Sequence, residues 1–318
     1  MPALPDTFQL RFERKWAHLT HPHVRALAWL LDGPDLLDPD SAVWEGRIAT
    51  LAPLSDATCA WLAALQDNPA PLAAALGTRF YSRLGLYAEK LMAFYFEQHG
   101  CLVAHGLQVR ASKNDTVGEF DFLLCSGNTL LHWEFATKFY LLDDGIGAGL
   151  NRLIGPNLAD TLGAKMHKIL DKQLALGQHP AAQGLLPQAL AGAQALLKGW
   201  LFYADGEVHS MAGIGAAHCH GFWCPLQQVV ALRGERFVIL PRLQWLAPLK
   251  VAAGVDLPGR AALQALLAGR FAAAPAPVLV AAVVEQDGWL IEQERGFIVP
   301  DDWLAQAAAR RLAGLLPV

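Results

Sequence analysis

The chain has 318 residues, 53% of them hydrophobic and 17% charged, with a net charge of -4. That length can bury a sizeable core in one elaborated domain or in two, and the slightly acidic balance excludes a polycation that coats nucleic acid indiscriminately. The most apolar stretch, Phe271 to Val284, is broken by Pro275 and Pro277 and is too short to span a bilayer, so no membrane partner is expected.

In chain order, residues 1–77 read as helices. "VRALAWLLDG" and "SDATCAWLAALQ" place apolar residues three and four apart behind plausible Ser or Asp caps. This region accounts for the entire acidic excess, whereas residues 145–200 are basic, so a polyanion is expected to approach the middle of the chain. From Gly77 the pattern predicts a long helix, about Arg79 to His99, stopped by Gly100. Strands follow near 101–110, 118–125 and 129–141, with "SGN" turning between the last two. After the loop "DDGIGAGLN" a helix is predicted from about Leu158 to Leu176, with Asn157 as its cap and Asp160 in the capping-box position. Strand "GWLFYAD" comes next. Strands "QQVVALR", "RFVILPRLQWL", "VLVAAVVEQ" and "WLIEQERGFIV", an Ala-rich helix near 260–272 and a last helix from Asp301 complete the chain. The expected organisation is a helical region (1–77), an α/β core (78–204) and a C-terminal α+β region (205–318). Five scattered cysteines suit a reducing compartment. The charged start "MPALPDTFQLRFERKW" lacks the apolar run of a secretory signal, so a cytoplasmic location is expected.

The chemistry concentrates in "GEFDFLL" and "HWEFATKFY". Side chains alternate across a strand. Glu119, Asp121 and Leu123 therefore fall on one face of the first segment, and Phe120, Phe122 and Leu124 on the other. In the second segment His132, Glu134, Ala136, Lys138 and Tyr140 lie together. Pairing across the turn brings Asp121 beside Glu134, and two adjacent carboxylates repel unless a cation or a proton sits between them. Hard oxygen ligands of this kind suit Mg²⁺ or Mn²⁺. On the preceding helix Glu89 is ringed by Leu86, Met92, Ala93 and Phe96 at helical spacing, which asks for a buried partner.

The succession "LGLYAEKLMAFYFEQHG", "CLVAHGLQVR", "GEFDFLL", "LLHWEFATKFYL" resembles the core of the PD-(D/E)XK nuclease superfamily, over roughly residues 78–205. Nearly the whole chain also resembles the bacterial family called domain of unknown function 1853, which has been placed in that superfamily. The resemblance implies a restriction-endonuclease-like mixed sheet flanked by helices and a metal-dependent nuclease acting on nucleic acid, DNA foremost. It assigns Asp121, Glu134 and the Phe135 carbonyl to the metal, with Glu119 as a further ligand and Glu89 at or behind it. It gives the lysine the task of orienting the attacking water. The superfamily spacing is Glu-x-Lys, but position 136 is Ala and the lysine is Lys138. At about 3.3 Å per residue this moves its Cα from about 7 to about 13 Å away from Glu134. A substitute is available on the following helix, where Lys165, Lys168 and Lys172 recur at three and four spacing with Gln173 beside them; they are the candidates for nucleic-acid binding. The displaced lysine also suits a different class, a catalytically silent nuclease-like fold that binds nucleic acid or protein.

"HCHGFWC" (His218 to Cys224) matches no zinc-finger spacing, and core histidines explain it as well. "GIGAG" at 145–149 lacks the setting of a phosphate loop and reads as a loop beside the active face.

Overall fold

A computed structural model describes residues 6–78, 81–112, 115–145, 147–204 and 206–317. Helices α1 (Phe8–Trp16), α2 (Pro22–Asp32), α3 (Asp56–Asp67), α4 (Ala70–Leu76) and α5 (Leu84–Gln98) come first. Strands β1 (Leu102–Ser112), β2 (Asp115–Ser126), β3 (Thr129–Leu142) and β4 (Leu153–Ile154) follow, then α6 (Leu162–Lys168), α7 (Pro180–Gln183) and β5 (Leu190–Tyr203). The chain closes with β6 (Cys219–Pro225), β7 (Arg236–Ile239), β8 (Lys250–Ala252), α8 (Arg260–Ala273), β9 (Val278–Gln286), β10 (Trp289–Val299) and α9 (Trp303–Leu312). The predicted long helix is α5; Arg79 and Phe80, at its expected start, lie outside the described residues, as does Ile146 of the glycine-rich loop.

Among the described residues ten strands form one large mixed sheet in the order β1-β2-β3-β5-β6-β10-β9-β7, with β4 added to β3 and β8 to β10. Strands β1, β2 and β3 form an antiparallel meander, turned between β2 and β3 at Gly127, whose φ of +58° a side chain would resist. Parallel pairing then joins β3 to β5, β5 to β6 and β6 to β10. Such strands are covered on both faces and lose the polar-apolar alternation; every residue of β5 from Ala195 to Tyr203 is buried. One face of the sheet packs on α5 and the N-terminal helices, the other on α6 and the turns after it. The architecture is thus α/β, a mixed sheet flanked by helices.

The first and last thirds of the chain are bound together through buried charge. Arg25 donates to Glu13 (3.1 Å) and to the Pro248 carbonyl (3.1 Å), and Lys250 donates to Glu13 (2.6 Å). The strands after residue 204 extend the same sheet through β6 and β10. Among the described residues no helix is long and apolar enough to cross a membrane.

Three local expectations are corrected. The helix predicted from Leu158 starts at Leu162, because Thr161, not Asn157, caps it by accepting the Ala164 N–H (3.1 Å), and Leu158 sits at φ +56° in a loop. "QQVVALR" is a short 3-10 turn, Leu226–Ala231, that follows Pro225 at the end of β6. Strand "GWLFYAD" begins nine residues earlier, at Leu190, inside a segment whose Ala and Leu residues favour a helix in isolation.

Candidate active site

The expected alternation along β2 breaks at Asp121. Phe120 packs into the cluster with Val109, Leu123 and Leu176 and takes the His132 ring edge-on at 4.7 Å. Phe122 lies on the opposite face, against Phe96 of α5 at 5.2 Å. Predicted to share a face, the two phenylalanines are separated by it. The neighbouring pairs His105↔Phe122 and Leu107↔Phe120 place Gly106 across from Asp121, and Gly106 has φ +64°. A left-handed glycine opposite an unpaired residue reverses the faces of both strands at one point, as a bulge does. Asp121 is thereby released from both faces and turned toward the edge of β3, where its Oδ2 accepts the Phe135 N–H at 2.9 Å.

That bond stands where a ladder bond would be. Pairing of β2 with β3 runs from Ser126↔Thr129 to Phe122↔Trp133 and stops, and β4 covers β3 only at Leu141 and Leu142. Among the described residues the edge of β3 from Glu134 to Tyr140 therefore faces a gap in the sheet.

Around this gap the structure brings together Glu89, Glu119 and Asp121. Each offers a carboxylate oxygen, all within 4.8 Å of one another, and this is the one such group of His, Cys, Asp and Glu among the described residues. Adjacent ligands of an octahedral Mg²⁺ shell stand about 3 Å apart, so the three side chains would have to draw together to hold such an ion. Its donors are oxygens alone, which suits Mg²⁺ or Mn²⁺ over softer metals. Glu89 is held by His105, whose Nε2 lies 2.7 Å from Glu89 Oε1.

Glu134 adjoins Asp121 but is not part of that group. It is 2% exposed, and both its oxygens are engaged: Oε1 lies 2.9 Å from His132 Nε2, and Oε2 accepts the Gln173 amide. The expected primary ligand is thus tied by neutral partners, and Glu89 and Glu119 stand nearer the cluster's centre. Burial first, then the Glu134 charge, pushes the Asp121 carboxyl up to about 7. Burial likewise raises Glu134 to about 7, against the opposing pull of the Lys165 ammonium. His132 is pushed down to about 4 by burial, so its imidazole is neutral at physiological pH. Its bond to Glu134 links residues two apart on one strand face, a signal that strand alternation carries but that the sequence reading did not use.

Lys138 does not reach the acids. Its Nζ lies 3.2 Å from Asp160 Oδ2, which also accepts the Tyr140 hydroxyl at 3.2 Å. Two residues further along β3, Lys138 meets the loop before α6 instead of Asp121. The ammonium that does turn toward them is Lys165, whose Nζ donates to Gln173 Oε1 at 3.2 Å. Burial, then the neighbouring Lys138, lowers the Lys165 pKa. Lys165 and Gln173 are eight residues apart, and residues Ile169–Gln173 form a π-helical turn. The wider turn advances fewer degrees per residue and so sets Gln173 beneath Lys165, as such insertions often do at functional sites. Lys168 and Lys172 remain on the exposed side. Phe135 contributes through its backbone, while its ring packs on Phe122 at 6.0 Å.

The "HCHGFWC" histidines hold structure: His218 Nε2 bonds the Tyr203 hydroxyl at 2.7 Å and its Nδ1 lies 2.6 Å from the Gly215 carbonyl.

No curated protein and no solved structure matches the chain. The sequence model of one family matches residues 25–299. By that match over most of its length, the chain belongs to the family described as Domain of unknown function (DUF1853).

Proposed function

We propose that the chain is a Mg²⁺- or Mn²⁺-dependent nuclease of the PD-(D/E)XK kind, hydrolysing phosphodiester bonds of nucleic acid, DNA foremost, on a restriction-endonuclease-like core. The observation that supports this most is the convergence of Glu89 from α5 with Glu119 and Asp121 from β2, beside the buried Glu134. When bound, the ion supplies neutralisation of phosphoryl charge and a lowered pKa for a water molecule. Asp121, Glu89 and Glu119 would hold it, with the Phe135 carbonyl, on the same unpaired edge as its N–H, as the backbone ligand. Glu134 holds Gln173 and, through it, Lys165, whose Nζ takes the water-orienting task that Lys138 is too far along the strand to perform. Lys168 and Lys172 meet backbone phosphates from the exposed side of the same segment.

A second reading, a silent nuclease-like fold that binds nucleic acid or protein, is favoured by one fact: Lys138 is committed to Asp160. Cleavage of plasmid, junction and single-stranded substrates with Mn²⁺ separates the two. The nuclease reading requires wild-type cleavage that Asp121→Ala and Glu134→Ala abolish. Binding without cleavage by the wild type supports the silent fold, and cleavage that survives both substitutions removes these residues from the chemistry.

A further inference from the structure

A cavity of about 270 Å³ opens beside the acid cluster, between the start of α5, the uncovered edge of β3 and the loop 155–160. Arg83, Lys138 and Arg242 line it, and Asp160 is the one acid in its wall, already engaged by Lys138 and the Tyr140 hydroxyl. Neither Arg83 nor Arg242 has a carboxylate partner among the described residues, and the Arg242 guanidinium lies over the Trp245 ring, 5.2 Å from its centroid.

The start of α5 compounds this surplus of positive charge. Arg83 occupies the N-cap position, no side chain caps the helix, and its first turn carries no acid. A cation there opposes the helix dipole and offers no acceptor to the first N–H groups. Gly85, in that first turn, is exposed. Two guanidiniums without carboxylate partners and uncapped amides around one cavity make an arrangement that a bound anion completes.

We infer that this cavity is a phosphate-binding subsite, seating a phosphate group of a nucleic-acid strand whose next segment crosses the acid cluster. Arg83 precedes Glu89 by six residues of α5, about 9 Å along the helix axis, which keeps cavity and cluster within reach of one strand. Arg83 and Arg242 supply the charge and, with the α5 amides, the hydrogen bonds. The inference rests on the nuclease reading for the carrier of the phosphate, not for the pocket's preference for one.

The test is anisotropy of labelled 12-nucleotide single strands, bearing a 5′-phosphate, a 3′-phosphate or neither, measured in EDTA across a salt series. Arg83→Gln/Arg242→Gln is expected to weaken binding at least tenfold and to lower the salt slope by about 0.7, the share of the one phosphate the two arginines hold together. Arg270→Gln, on the distant α8, is expected to change neither, and millimolar orthophosphate should compete with the wild type. A loss confined to one phosphorylated strand assigns a terminal phosphate, and an equal loss on all three assigns an internal diester; both support the pocket. Arg83→Lys/Arg242→Lys keeps the charge and should keep the slope, which separates a charge effect from misfolding. Affinity and slope equal to those of Arg270→Gln would overturn the inference. Because no metal is present, the pocket can fail while Asp121→Ala still abolishes cleavage, or stand while the wild type proves unable to cut.

Discussion

Glu134 and Glu292 are both glutamates buried on strands of one sheet, at 2% and 0% exposure, yet they are satisfied in opposite ways. Glu292 faces Arg295, which donates to both its oxygens (2.6 and 2.7 Å), and it also accepts the Leu249 N–H at 2.8 Å. The guanidinium of Arg295 is fully buried over the Trp200 ring, 4.1 Å from its centroid, and donates to the Ala247 carbonyl. That charge is cancelled within the fold. Glu134 instead has a neutral imidazole and an amide, with a second carboxylate beside it. A buried acid left without a cation must carry a proton or recruit a positive charge from outside. One region is complete as folded; the other holds its buried acid without a cation in contact.

The largest expected effect breaks the complete region. Arg295→Met strands the Glu292 charge, and urea melts should show a loss of about 3–5 kcal/mol. At pH 8, Glu134→Gln should leave the metal-free protein as stable as the wild type or more so, since an amide replaces a buried charge that has no cation in contact. Comparable losses for both variants would erase the contrast.

Cleavage sharpens the comparison at the lysines. Lys165→Ala is expected to lower kcat about 10²-fold, in the range of a positioned proton-handling group, and Lys138→Ala to change kcat under saturating substrate by less than about threefold, as suits a half-exposed ion pair away from the acids. Single-turnover rates on the preferred strand read both. The reverse order would return the water-orienting task to Lys138.

The pH dependence follows from Asp121 and Glu134, both raised to about 7. Their folded pKa values exceed the unfolded ones, near 4. The stability they contribute is therefore complete below about pH 4 and is lost as pH rises through about 7. Metal-free melting temperatures should accordingly carry a downward contribution between pH 5 and 8 that Asp121→Asn/Glu134→Gln removes. Added Mn²⁺ should raise the wild-type melting temperature more at pH 8 than at pH 5.5, because at low pH it competes with protons. The smallest effect is Thr161→Ala, expected to cost about 1 kcal/mol through loss of the α6 cap, with metal affinity unchanged.

Much of this site was legible because β2 and β3 are locally coded. The Gly127 turn and the register it sets between β2 and β3 bring Asp121 next to Glu134, and helical spacing marked Glu89 as facing inward. The face reversal at Asp121 was hidden, since it depends on Gly106 in the neighbouring strand adopting a left-handed φ, which a lone glycine in a strand pattern does not announce. The partner of Lys138 was hidden for a similar reason: Asp160 lies 22 residues away, in the loop just before the helix that Thr161 caps. In β5, Ala and Leu between 190 and 198 carry helical propensity, and only burial between β3 and β6 overrides it. The pairing of Lys165 with Gln173 needs a π-helical turn that periodicity at 3.6 residues does not foresee.

The central claim is that the acids of α5 and β2 hold a divalent cation. Mn²⁺ titration of the purified chain at pH 8, followed by electron paramagnetic resonance of the free ion, tests it most directly. The expected result is at least one tightly bound ion per wild-type chain that Asp121→Asn abolishes and Lys138→Ala leaves in place. A wild-type chain that binds no Mn²⁺, or binds it equally well after Asp121→Asn, would contradict the account.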